Sequence, residues 1–148
     1  MSTSGSLSGF QRLPKLIVFD LDFTLWPLWC EHHVSPPFVR KKNVIYDSYK
    51  KILDVYADSE KILRVIKAST TVKLACASRF HELSGIEYAD MVFFDDEKRN
   101  IKDICGLGVQ CHLVERGITW NLFEQALKQF ERKHKHPHTH ARTHASTK

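Results

Sequence analysis

Short apolar runs, each ending in polar residues, punctuate the chain. Leu16-Ile17-Val18-Phe19 is continuous, with β-branched and aromatic members, the pattern of a strand covered on both faces. Val72 to Ala77 and Met91 to Phe94 repeat it, and Val109 to Val114 is a weaker fourth run. Between and after these runs the apolar spacing turns helical. Ile62, Leu63, Val65 and Ile66 follow a candidate cap at Asp58 or Ser59, and Ile101, Ile104 and Cys105 precede Gly106. A last helix is predicted from Thr119, with Leu122, Phe123, Ala126, Leu127 and Phe130 on one face. Strands that alternate with helices pair in parallel through right-handed crossovers, so the pattern predicts an open parallel α/β sheet.

Three segments fall outside this rhythm. Residues 1–12 are Ser/Gly-rich at the start and are expected to form a disordered leader. Trp26 to Lys51 mixes aromatics, prolines and charges without a clean period, and reads as a flap over the edge of a site. From His134 to Lys148 no apolar residue is larger than Ala, so a disordered His-rich tail is expected there. Residues 13–133 remain as one domain.

A length of 148 residues with 43% hydrophobic positions suits a single core. The net charge of +5 would suit a nucleic acid or a phosphorylated substrate alike. No interleaved basic and aromatic stripe supports nucleic acid, and much of the excess lies in Arg40-Lys41-Lys42, Arg132-Lys133 and the tail. Cys30, Cys76, Cys105 and Cys111 have no C-x-x-C spacing, which points to free thiols in a reducing compartment. Met1 to Leu7 lacks the layout of a signal peptide and no segment reaches membrane-spanning length, so the expected location is cytoplasmic, away from membranes.

Ligands of open α/β sheets bind beyond the carboxyl ends of the strands, which brings together residues far apart in sequence. Here those residues are Asp20 and Asp22, Ser78 and Arg79, and Asp95 and Asp96. Converging carboxylates and a hydroxyl suit Mg²⁺, which takes a few carboxylate oxygens together with a substrate phosphate oxygen. Asp20 is the candidate nucleophile, because a carboxylate can split phosphate ester hydrolysis into two displacements once a cation offsets the charge repulsion. Asp22, two residues on, is the candidate general acid and base. Ser78 and Arg79 are candidates for phosphate contact. An Asx turn alone would account for Asp20 and Asp22, but a turn does not require matching polar ends on other strands. Trp26 and Trp29, near proline, read as lid packing.

Asp20-Leu21-Asp22-x-Thr24-Leu25 resembles the first motif of the haloacid dehalogenase superfamily. Leu25-Trp26-Pro27 and Phe93-Phe94-Asp95-Asp96-Glu97-x-Arg99-Asn100-Ile101 narrow the resemblance to its eukaryotic magnesium-dependent phosphatases. The resemblance implies a Rossmann-like open parallel sheet of haloacid dehalogenase type, with a small flap after the first strand. It implies Mg²⁺-dependent hydrolysis of a phosphomonoester, phosphotyrosine or a sugar phosphate such as fructosamine phosphate, through an aspartyl-phosphate. Carried over by position, Asp20 is nucleophile and metal ligand, and Asp22 is proton donor and ligand through its main-chain carbonyl. Ser78 and Arg79 contact phosphate, and Asp96 is the third metal ligand with Asp95 in support.

The resemblance also exposes a departure. The family's third motif is a Lys between the Ser strand and the Asp-Asp strand, on a segment that supplies a further helix and strand. Phe80 to Asp90 contains no Lys and has room only for a short connection between neighbouring strands. The domain is therefore expected to be partly truncated, with apolar surface exposed around Leu74, Cys76, Val92 and Phe94. Lys98, Arg99 and Arg116 are the candidate substitutes. A catalytically impaired chain that keeps only metal and phosphate binding is the alternative function. A receiver-like acceptor at Asp95 or Asp96 is a more distant one.

Overall fold

The computed structural model describes residues 6–75 and 85–135. The elements follow in order: β1 (Leu16–Phe19), α1 (Cys30–His33), β2 (Val39–Lys41), β3 (Val44–Tyr46), β4 (Ile52–Leu53), α2 (Ser59–Lys67), β5 (Lys73–Ala75), β6 (Met91–Asp95), α3 (Lys98–Cys105), β7 (Gln110–Leu113) and α4 (Trp120–Lys135). A single 3₁₀ turn, Tyr88–Asp90, leads into β6. The main sheet is parallel in the order β5-β1-β6-β7. Its two central strands, β1 and β6, are buried at every position, as expected of strands packed on both faces.

Pairing of Ile17 with Val92 and of Phe19 with Phe94 puts these four side chains on one face. Ile62 and Ile66 of α2 and Phe123, Leu127 and Phe130 of α4 cover them. The rings of Phe19 and Phe94 stack at 4.9 Å, and Phe123 lies 6.5 and 6.1 Å from them. The opposite face, Leu16, Val18, Met91 and Phe93, packs against Ile86, Val109 and the inner side of α3 at Ile101 and Ile104. Each such large apolar side chain contributes about 1.5–3 kcal/mol by leaving water. The helix starts are chemically defined as well. Thr119 Oγ1 accepts the Leu122 amide at 3.2 Å and caps α4. The Asp58 carboxylate, just before α2, accepts the Trp120 amide at 2.8 Å and so ties the beginnings of two helices together.

The irregular stretch after β1 is indeed a separate layer. It holds α1 and a three-stranded antiparallel sheet in the order β2-β3-β4, which closes with Ile52–Leu53, just beyond the expected limit at Lys51. Asp47, 5% exposed, organises it by accepting the amides of Ser35, Tyr49 and Lys51. Ser48 N donates to Ser35 O at 2.9 Å and Lys51 Nζ to His33 O at 2.9 Å, which fastens this sheet to α1.

Several expectations change. The leader is not loose throughout, since Leu7 is buried in the main core and the Gln11 amide donates to Glu131 at 2.7 Å. The last helix takes in His134 and Lys135, because the helical period continues past the apolar face. His134 Nδ1 pairs with Phe130 O at 2.8 Å, and its ring stacks on the Phe130 ring. Val92 and Phe94 are fully buried rather than exposed, because α4 covers their face, whereas Leu74 on the edge strand is 40% exposed. β5 and β6 are not neighbours, for β1 runs between them, so the segment from Ala75 to Met91 does not link adjacent strands, and its described end packs on the face of Leu16, Val18, Met91 and Phe93. Ile86 from that connection is buried there. Cys76, Ser78, Arg79 and the rest of 76–84 lie outside the described residues, as does 136–148. Among the described residues no helix is long and apolar enough to cross a membrane.

Candidate active site

The register that buries Phe19 beside Phe94 also makes β1 and β6 end together. The Asp20 amide donates to Phe94 O at 2.9 Å, and the Val114 amide to Asp95 O at 2.8 Å. The result is a group of three carboxylates, Asp20, Asp95 and Asp96, whose nearest oxygens all lie within 4.8 Å of one another. Asp95, 2% exposed, is anchored by the Glu97 amide at 2.7 Å on Oδ1 and by Asn100 Nδ2 at 3.0 Å on Oδ2.

Burial and crowding act on these acids in the same direction. Burial, chiefly, raises the Asp20 pKa to about 6. The charges of Asp95, Asp96 and Asp22 add to it, while the Leu21 amide works the other way. Burial also raises Asp96, with Asp95 reinforcing it. Asp95 is raised by burial as well, against the opposing bonds from Glu97 and Asn100. A cleft of about 360 Å³ opens over the group, lined by Asp20, Asp22, Phe23, Trp29, Asp96, Glu97 and Asn100. Among the described residues no Lys or Arg lines it. Hard oxygen donors that converge while repelling one another suit a hard divalent cation such as Mg²⁺, whose charge relieves the repulsion.

The loop after β1 turns back on itself. Phe23 takes φ 54°, a left-handed conformation that costs a non-glycine residue on the order of 1–2 kcal/mol. Leu21 O accepts the amides of Leu25 at 2.9 Å and Trp26 at 3.4 Å and holds the turn closed. This brings Trp26 back beside Asp22. Trp26 Nε1 donates to Asp22 Oδ1 at 2.6 Å, and the Cys30 amide, first residue of α1, donates to Asp22 Oδ2 at 3.1 Å. The Cys30 thiol is pushed up to about 11 by burial and by its hydrogen bond to the same carboxylate. Thr24 is fully buried, its carbonyl taking the Ile118 amide at 2.9 Å.

Of the residues singled out from the sequence, Asp20, Asp22 and Asp96 line one cleft. Asp95, expected only in support, belongs to the three-carboxylate group itself. The Asp22 side chain stands outside that group, bonded to Trp26 and Cys30; its expected metal contact concerned the main-chain carbonyl. Ser78 and Arg79 lie outside the described residues. Of the candidate substitutes for the absent Lys, none of Lys98, Arg99 and Arg116 lines the cleft. The sequence reading missed the indole of Trp26, the Cys30 amide and Asn100 as parts of the site. Only Asn100 had a visible signal, five residues after Asp95 in an acidic strand end.

A parallel sheet whose two central strands end in converging aspartates, with a flap after the first strand, defines a haloacid-dehalogenase-like hydrolase fold. A family model described as acid phosphatase matches residues 12–84 and 78–133. Magnesium-dependent phosphatase 1 of Homo sapiens is 31% identical over 157 aligned residues, covering 82% of this chain and 89% of the human protein. A HAD-like hydrolase superfamily protein of Schizosaccharomyces pombe is 33% identical over 146 residues, covering 66% of this chain and 84% of the yeast protein. The chain belongs to the acid phosphatase family of the haloacid-dehalogenase-like hydrolases. The family match comes in two stretches meeting at 78–84, and the human alignment is 157 positions long although only 82% of these 148 residues enter it.

Proposed function

We propose that this chain is a Mg²⁺-dependent phosphomonoester hydrolase working through an aspartyl-phosphate on Asp20. The observation that carries the reading is the group of Asp20, Asp95 and Asp96 at adjoining strand ends, under a cleft that Asp22 also lines. Asp20, Asp96 and Asp95 would hold the cation, which supplies positive charge against the incoming phosphate. An Asp20 carboxylate oxygen bonds to phosphorus as the ester oxygen leaves, and Asp22 gives that oxygen its proton. Water then attacks the aspartyl-phosphate, Asp22 takes a proton from it, and Asp20 is restored with release of inorganic phosphate. Ser78 and Arg79 are assigned to the phosphate oxygens by their match to the family's second motif. Phosphotyrosine and sugar phosphates are the substrate classes we favour, in a cytoplasmic setting that suits the free Cys30, Cys105 and Cys111.

A second reading rests on the absence of a Lys or Arg from the cleft lining among the described residues, together with the two-part family match. Under it, the chain binds Mg²⁺ and phosphate without turnover. One experiment separates the two: purified chain, Mg²⁺ and a chromogenic phosphate ester. The hydrolase reading expects turnover that EDTA abolishes and that Asp20→Asn reduces by at least about a thousandfold. Turnover that ignores either change sinks it, and saturable Mg²⁺ binding without hydrolysis establishes the second.

A further inference from the structure

Asp22 is the acid and base of the proposed reaction, yet the groups that orient it come from the base of the flap. Both of its oxygens accept an N–H, Oδ1 from the Trp26 indole at 2.6 Å and Oδ2 from the Cys30 amide at 3.1 Å. A carboxylate offers about four lone-pair positions, so one on each oxygen is left for a leaving group or water in the cleft. Neither N–H can take up the proton that Asp22 moves, so that proton passes between Asp22 and the cleft while the two donors hold the carboxylate in place. The indole of Trp26 is only partly exposed, and Trp26 also pairs with Asp22 through a backbone bridge. The left-handed turn at Phe23 is what makes the four-residue return possible.

We infer that Trp26 is a positioning residue: its indole N–H, acting with the Cys30 amide, fixes the Asp22 carboxylate toward the cleft and couples that orientation to the seating of α1. The inference rests on the hydrolase reading for its catalytic consequence, but the contact itself can be measured without turnover. Donating a proton matters most when the leaving oxygen is basic and hardly at all when it departs as a stable anion. Loss of Asp22 orientation is therefore selective between substrates.

Trp26→Phe keeps an aromatic ring and removes the donor. With an alkyl phosphate, kcat is expected to fall about tenfold or more, the scale of a charge-assisted hydrogen bond. With p-nitrophenyl phosphate it is expected to fall less than about threefold, and KM is expected to move little on either. Equal losses on both esters, or none on either, overturn the inference. The second arm uses the full-length chain by NMR, with the Trp26 indole proton assigned from its absence in Trp26→Phe. That proton is expected to exchange slowly with solvent and to shift in Asp22→Ala. An indole proton that exchanges as fast as that of exposed Trp29, and that ignores Asp22→Ala, overturns the inference even in a chain that hydrolyses nothing. A chain without turnover whose indole responds as expected refutes the hydrolase reading and leaves the positioning contact established.

Discussion

Asp20 is held where its negative charge is unwelcome. Its folded pKa of about 6 stands above the ordinary 3.8, because burial and three nearby carboxylates favour the protonated form. Without a cation, the folded chain therefore binds this proton more tightly than the unfolded chain does. Stability contributed by the group is highest below pH 4, falls as pH rises toward 6, and stays low above that. Asp20→Asn is accordingly expected to stabilise the chain in EDTA at pH 7, by on the order of 1 kcal/mol after solvent screening of a half-exposed group, and so to raise the thermal midpoint. It should also flatten the slope between pH 4 and 6. Unfolding curves across that range check both effects, and an unchanged slope would place the strain on Asp95 or Asp96 instead. The same substitution is expected to remove activity, so the residue proposed as nucleophile is one that the fold would rather neutralise. Asp20, Asp22 and Asp96 were legible in the sequence because they end apolar runs. Trp26 was not, because its role depends on φ 54° at Phe23, and no local pattern announces a left-handed phenylalanine.

At the scale of elements, the main strands could be read directly. β1 and β6 have no polar residue before their ends, and a run buried on both faces admits few other readings. The flap was harder, for its sheet is held by a buried carboxylate rather than by an apolar stripe. Val39, Ile45 and Ile52 are all at least 41% exposed, whereas Asp47 is 5% exposed. Hydrophobic periodicity cannot reveal an element whose centre is an acid. The arrangement makes a sharp prediction. Asp47→Ala leaves the Ser35, Tyr49 and Lys51 amides without the acceptor they share and is expected to cost about 1–3 kcal/mol locally. Hydrogen exchange should quicken at the Ser35, Tyr49 and Lys51 amides while β1 and β6 keep their protection. Uniform loss of protection would mean that the flap and the main sheet unfold as one unit. The crossover from β5 to β6 was misread as a link between neighbours for a related reason: strand order depends on long-range pairing and leaves no trace in spacing.

For the whole molecule, the proposed cation at the three-carboxylate group would link metal to folding. A cation that binds the folded chain and not the unfolded one raises stability by about 2.7 kcal/mol at a hundredfold excess over Kd. Mg²⁺ is therefore expected to raise the unfolding temperature by several degrees, and Asp96→Asn to abolish most of that rise. A rise that survives Asp96→Asn would direct attention to a different site. Because the cation needs deprotonated ligands, the rise should grow as pH increases through 6, opposite in sign to the effect of Asp20 in the metal-free chain.

The placement of α4 has a bearing on how the polypeptide is made. Phe19 leaves the ribosome early and Phe123 late, yet each is part of the other's surroundings in the finished fold. Until Phe123, Leu127 and Phe130 have been synthesised, the face formed by Ile17, Phe19, Val92 and Phe94 has no cover from that side. A nascent chain halted between β6 and Trp120 carries an open apolar surface, the kind that holdase chaperones bind and that associates with other chains. Completion of this core thus waits for the synthesis of α4, about a hundred residues after β1.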